Sequence, residues 1–355
     1  MSAINSEMIK LAREARGLNQ SDLCEALNVA QGTVSKIENK LIECSEDLLT
    51  KIAETLKYPK SFFFRSDPIF PSSILYYRRK ISVGKKVLVK AEARMNIIRI
   101  AIERLLQQIE IPDTSLGRWD VEKMGPPDLA AKFLREKWRL PKGRIDNLTN
   151  LVESKGIVVV HFDFESDKLD GLSFFTDTGQ SIIFLNSFLP GDRQRLTLAH
   201  ELGHLFMHIG QPIELERDIE EEAFLFASEF LVPFEEFRVG VRSVDLKFLA
   251  AQKRYWMISM AALIKKCKET KLITENQAKY LYSQMSSLGL RKAEPPELGV
   301  EKERTSLLTK TIQLYRTDLS YSSEDLAKAV DLSPSDFQRE FELEPLGLRV
   351  IRRAQ

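Results

Sequence analysis

The chain has 355 residues, with 52 Lys and Arg against 51 Asp and Glu and a formal net charge of +1. That length suits two or three domains, and the balanced charge excludes a global electrostatic argument for nucleic acid. Cys24, Cys44 and Cys267 form neither a CxxC pair nor a disulfide framework, and no apolar run has the length of a signal or membrane-spanning segment, so a cytoplasmic protein with no membrane partner is expected.

Taken in order, residues 4–64 read as short helices. Ile9, Leu11, Ala12 and Ala15 mark the first, ended by Gly17. Asn19-Gln20-Ser21-Asp22 opens the second, with Leu23, Cys24, Ala26 and Leu27 on its inner face. Asn28 follows at a tight turn that favours a left-handed residue, and residues 29–39 read as the third helix. Two helices joined by so short a turn make a helix-turn-helix candidate. The stretch ARGLNQSDLCEALNVAQGTVSKIENK, followed by LLTKIAETLKYPKSFFF, resembles the Cro/CI-type repressor (XRE) family. The resemblance implies binding to double-stranded DNA, with Gln31, Gly32, Thr33 and Lys36 facing base edges in the major groove. It also implies that Gln20, Ser35, Asn39 and Lys40 lie near phosphates. Gly32 departs from that chemistry, since it offers no side chain for base readout. A helical interaction module without DNA binding is the alternative, because charges within residues 1–66 roughly cancel.

Pro68, Pro71, Ser72 and Ser73 mark a linker. Arg78, Arg79, Lys80, Lys85, Lys86, Lys90, Arg94, Arg99 and Arg104 then stand against only Glu92 and Glu103. The favoured reading is the solvated face of a connecting helix; the sharper one is added phosphate contact beside the helix-turn-helix. Helical patterns over 127–155 lead to apolar strands at 156–162, 172–175 and 181–186, the last two separated by a turn at Asp177-Thr178-Gly179.

Next comes Leu196-Thr197-Leu198-Ala199-His200-Glu201-Leu202-Gly203-His204-Leu205-Phe206-Met207-His208. Residues four apart share a helix face, so His200 and His204 can point two imidazoles at one metal ion, with Glu201 as general base. Apolar residues wrap most of this helix, and unpaired histidines buried there would be costly unless they bind something. Zn²⁺ is the expected ion; ligand type does not exclude Mn²⁺. A third ligand is expected downstream, where Glu220, Glu221 and Glu222 open a helix ended by Pro233, and spacing does not choose among them. His208, two turns beyond His200, reads as a packing or rim residue.

The stretch GLSFFTDTGQSIIFLNSFLPGDRQRLTLAHELGHLFMH, followed by EEEAFLFASEFLVP, resembles the ImmA/IrrE metallopeptidase family. The resemblance implies Glu220 as the third ligand, with Glu222 second in line. It implies a zincin-like peptidase whose substrate is a repressor or a similar regulator, such as one from a toxin–antitoxin or phage system. The family usually has Asn where this chain has Phe224, which counts against full activity more than against metal binding.

Residues 241–355 read as mostly helical, and YSSEDLAKAVDLSPSDF has the look of a second helix-turn-helix, read here as a packing and dimerisation module. The expected fold is α+β and predominantly α, with a helix-turn-helix domain at 1–68 and a basic linker and connecting helix at 69–110. A peptidase domain with a small sheet at 111–240 and a helical C-terminal domain at 241–355 complete it. The expected function is a homodimeric DNA-binding regulator with a zinc-dependent endopeptidase, latent until activated. The alternative is a non-catalytic regulator or antitoxin-like binder that uses the peptidase fold as sensor or scaffold.

Overall fold

A computed structural model describes residues 3–70, 84–109, 111, 116–176, 179–210, 213–214, 216–291 and 293–341. Pro71, Ser72, Ser73, Arg78, Arg79, Lys80, Asp177 and Thr178 lie outside the described residues. The fold is α+β and predominantly α, as expected. The chain divides into two compact units, Met1–Ile111 with Leu307–Gln355, and Pro112–Ser306.

The first unit begins with α1 (Ser6–Ala15), α2 (Gln20–Ala26), α3 (Thr33–Glu38) and α4 (Glu46–Leu56), followed by a 3₁₀ turn at Lys60–Phe64. Asn19 and Asp22 cap α2 reciprocally, and Asn28 adopts φ 52° in the turn behind it. The third helix starts at Thr33, later than the expected 29, because Gly32 at φ 89° interrupts the chain there. Met8, Ile9, Leu23, Val34, Ile37, Leu49, Ile52, Phe62 and Phe63 are fully or almost fully buried. The apolar spacing therefore folded as a small bundle.

The long helix α5 (Lys85–Leu106) packs against α1 and is not a solvated connector. Arg99 is buried, donates to Glu103 at 2.7 Å and lies 4.4 Å over the Phe70 ring. Asn96 bonds both backbone groups of Phe70, at 3.0 and 2.8 Å. Arg94 pairs with Glu340 at 3.0 Å and Arg104 with Asp331 at 2.6 Å. Both sequence readings of the basic stretch thus change for Arg94, Arg99 and Arg104, whose charges are spent inside the unit.

The unit closes with α15 (Leu307–Thr317), α16 (Ser323–Ala329) and α17 (Pro334–Phe341). Helices α16 and α17 repeat the local devices of α2 and α3: a reciprocal cap from Ser322 and Asp325, and Asp331 at φ 56°. Yet α17 is spent on packing. Phe337 is fully buried, and Asp336 accepts from Arg16 of α1 at 3.0 and 2.6 Å. The resulting division differs from an expected C-terminal domain at 241–355 and a separate connecting segment at 69–110. Residues 307–341 belong with the first unit because their buried faces and charges find partners on α1 and α5.

The second unit holds α6 (Val121–Met124), α7 (Pro127–Lys137), α8 (Leu148–Ser154), β1 (Val158–Phe162), β2 (Gly171–Phe175), β3 (Ser181–Asn186), α9 (Gly191–Met207), α10 (Ile219–Leu231), α11 (Phe234–Phe237), α12 (Leu246–Trp256), α13 (Met260–Glu269) and α14 (Glu275–Ser287). The sheet order is β1-β3-β2; β1 runs parallel to β3 and β2 antiparallel to it, with Ser173 opposite Ile183. All six residues of β3 are buried, as befits a central strand. Helix α9 packs on β2 and β3 and, on its other side, on α10. Helices α12 to α14 share this core through Leu249, Trp256, Leu263 and Leu281, which is why 241–306 stays with the sheet. Lys253 of α12 is buried against Asp192, in the first turn of α9, and against Glu294 at 2.7 Å.

Candidate metal centre

Helix α9 is buried along most of its length, so its polar side chains face protein and need partners. The i, i+4 spacing puts His200 and His204 one above the other, with their Nε2 atoms 3.0 Å apart. Glu220, at the start of α10, completes the set: its carboxylate oxygens lie 3.3 Å from His200 Nε2 and 3.5 Å from His204 Nε2. A tetrahedral ion with bonds of about 2.0–2.1 Å separates its ligand atoms by roughly 3.3 Å. The three donors therefore fit a divalent ion such as Zn²⁺.

What brings α10 close enough is Gly203. A Cβ there would sit 2.9 Å from Phe226 Cδ1, so only glycine allows the two helices this approach. Burial pushes His200 below the ordinary imidazole value, against the pull of Glu220, and keeps it neutral as a ligand must be. Burial alone would raise the Glu220 carboxyl, but hydrogen bonding to both imidazoles holds it well below the ordinary carboxylate range.

The structure sorts the three adjacent glutamates by partner. Glu220 faces His200 and His204, whereas Glu221 accepts from Lys265 at 2.6 Å. Glu222 accepts from Arg217 at 2.6 Å and lies 3.0 Å from His208 Nε2. Glu222 is thus apart from the candidate ligands. His208 is not a rim residue: it is 1% exposed, and its Nδ1 is 2.9 Å from Nδ1 of His204. Burial lowers its pKa, against the pull of Glu222, so it too is neutral.

Glu201 points to the β2 side of the helix, where Ser173 Oγ donates to its Oε2 at 2.8 Å. Gly171 makes room, since a Cβ there would meet Glu201 Cγ at 3.2 Å and Thr197 Cγ2 at 2.7 Å. Sequence reasoning missed Ser173 and Gly171; alternation along β2 placed them on one face, but nothing local said which face meets α9. Phe224, one turn beyond Glu220, carries the Lys265 ammonium 3.5 Å from its ring centroid.

On the helix-turn-helix, Gln31, Lys36, Asn39 and Lys40 are exposed, with Thr33 and Ser35 half-buried beside them. Asn39 donates back to the Ser35 carbonyl at 2.8 Å, and Lys40 reaches Glu7 at 3.0 Å. Gln20 donates to Glu38 at 2.7 Å, and Arg13 holds the same carboxylate at 2.6 Å. Its side-chain nitrogen is thereby engaged within the domain.

A family model described as helix-turn-helix matches residues 9–63, and one described as IrrE N-terminal-like domain matches residues 152–268. The chain joins a helix-turn-helix domain to an IrrE N-terminal-like domain. Comparison with curated proteins gives no match. The IrrE-like match runs past the expected boundary at 240 and takes in α12 and most of α13, in agreement with their share of the core. The matched stretch is a metallopeptidase-like domain, and it contains all three candidate ligands, Glu201, His208 and Ser173. No helix among the described residues is long and apolar enough to cross a membrane.

Proposed function

We propose that the IrrE-like domain is a zinc-dependent endopeptidase that cleaves a regulatory protein, and that the helix-turn-helix domain binds DNA. The observation that carries the peptidase reading is the convergence of His200, His204 and Glu220 at tetrahedral spacing, with Glu201 beside them. When bound, a divalent cation supplies a Lewis acid for the scissile carbonyl and acidifies water. The chain supplies the proton traffic. Glu201 takes a proton on its carboxylate and returns it to the leaving amine nitrogen. Ser173 occupies Oε2 and holds the carboxylate in place, leaving Oε1 to carry the proton.

Gln31, in the turn before α3, and Thr33 and Lys36 on it are the proposed base-reading residues; Ser35, Asn39 and Lys40 lie nearer phosphates, and Gln20 serves chiefly to position Glu38. A homodimer would present two such helices to two half-sites. The substrate proposed is a repressor or a related toxin–antitoxin or phage regulator, the protein is proposed to work in the cytoplasm, and Mn²⁺ is the alternative ion.

One observation favours a second reading, a non-catalytic regulator that uses the centre as sensor or scaffold. Phe224 stands where the resembled family has Asn, and its ring is covered by Lys265 rather than offering a polar group. Glu201→Gln separates the two readings. Its metal content should match wild type, since the three ligands are untouched. Cleavage of co-expressed regulator candidates should fall by roughly 10²–10⁴-fold. A variant that cleaves as fast as wild type rejects the peptidase mechanism; a wild type that retains the same uncut partner as the variant favours the scaffold.

A further inference from the structure

Arg94, Arg99 and Arg104 of α5 are paired inside the first unit, but the lysines of its first turn are not. Lys85 and Lys86 are exposed, and neither has an ion-pair partner among the described residues. The rest of the helix fixes their place, because α1 and α5 run antiparallel. Gly17, at the end of α1, meets Lys90 near the start of α5: a Cβ on Gly17 would lie 3.2 Å from Lys90 Cδ. Asn5, at the start of α1, bonds the carbonyls of Phe63 and Arg65, and Arg65 shares Asp331 with Arg104 near the end of α5. Lys86 precedes Lys90 by four residues, so it shares that face about one turn, roughly 5.4 Å, further along the axis. The first turn of α5 therefore projects past the end of α1, on the side where Gly17, Leu18 and Asn19 lead into α2.

That end of α2 is where a phosphate backbone would run. In a helix-turn-helix docked through α3, the helix before it crosses the backbone, and helix N-termini are among the groups that meet phosphate. Asn19 and Ser21 are exposed there, and the local acid, Asp22, is engaged with the Asn19 backbone in the cap. Local energetics do not account for the two lysines. Cations in a first turn oppose the helix macrodipole, and no acidic residue stands in the first turn of α5 to offset them. A sequence that breaks a local rule in this way is expected to do so for a functional reason.

We propose that Lys85 and Lys86 form a phosphate clamp outside the helix-turn-helix, holding the DNA backbone beside the stretch that α3 reads. The clamp rests on the DNA-binding reading of the helix-turn-helix and adds a sequence-independent contact to it. Charge complementarity selects the occupant, since duplex DNA carries one negative charge per about 1.7 Å of its axis. Each lysine that neutralises a phosphate releases counterions and reads no base.

The test uses full-length protein and a duplex selected from a random pool by the wild type, with affinity followed by fluorescence anisotropy from about 50 to 200 mM salt. The double variant Lys85→Gln, Lys86→Gln keeps good helix formers at exposed positions. It should flatten the slope of log affinity against log salt by about 1 for each lysine. Its order of preference among single-base variants of the duplex should match wild type. A control with the same change in charge, Lys142→Gln, Lys247→Gln, alters exposed lysines of the second unit and should keep the wild-type slope. A wild-type slope in the Lys85, Lys86 variant overturns the clamp and leaves the DNA-binding reading standing. Equal flattening in the control also overturns it, because net charge alone then explains the effect, and so does a changed base preference. Absence of DNA binding by the wild type overturns the clamp together with the DNA-binding reading.

Discussion

Single residues decide how closely the parts of the centre meet, Gly171 beside Glu201 and Gly203 beside Phe226 above all. Gly203 lets α10 approach α9, and a Cβ there has nowhere to go but into the Phe226 ring. Gly203→Ala should therefore destabilise the protein by about 1–3 kcal/mol through overpacking and weaken metal binding as Glu220 is pushed away. Denaturant unfolding and Zn²⁺ competition check both; wild-type values in both would reject this account of the helix contact. The pair His200 and His204 was legible in the sequence because helix spacing alone aligns them. The choice of Glu220 over Glu222 was not legible from spacing. It depends on the rotation and closeness of a second helix, and those come from Gly203 and Phe226, far apart in sequence. Of the two readings of His208, packing held and rim did not. Its distance from His200 along a continuing helix was right in principle, but the chain turns at 208 and the ring meets His204 instead.

Elements were legible where apolar periodicity was strong, and their partners were not. The bundle of α1 to α4 follows its pattern, whereas α5 looked like an exposed basic connector. Its arginines turned out to face Glu103, Asp331 and Glu340, which come from its own turn or from over 200 positions along the chain. Two consequences follow for elements. The exposed edge of α3 should read DNA: Gln31→Ala and Thr33→Ala should each cost about 1–3 kcal/mol at a selected site and relax preference there, measured by fluorescence anisotropy. Unchanged affinity and preference in both variants would remove them from the interface. Helix α17 should stabilise the first unit through Arg16 and Asp336. Asp336→Asn should lower stability by about 1.5–3 kcal/mol, the scale of a hydrogen bond to a charged group, and a thermal or chemical melt indistinguishable from wild type would contradict this.

At the scale of the whole chain, folding keeps three imidazoles neutral and several carboxylates ionised, and both have the same consequence for pH. Burial lowers His161, His200 and His208 below the ordinary 6.5. The unfolded chain therefore binds more protons than the folded one once pH drops below that value, and stability present above it is lost on acidification. For Glu222, burial is outweighed by hydrogen bonds from His208 and Arg217, and its pKa falls to about 2 from the ordinary 4.5. Its contribution is present above pH 4.5 and is lost as pH falls toward 2. Metal-free protein should thus lose stability below about pH 6.5 and more steeply below about 4.5, by denaturant titration across that range; stability that is flat or rising on acidification would contradict the burial of these groups. The central claim is that one divalent ion sits on His200, His204 and Glu220. Equilibrium dialysis against Zn²⁺, followed by elemental analysis of full-length protein, tests it most directly. The expected result is one ion per chain in wild type and Glu201→Gln, and loss of that ion in His204→Ala and Glu220→Ala. Equal metal in wild type and Glu220→Ala, or loss in Glu222→Ala with retention in Glu220→Ala, would contradict it.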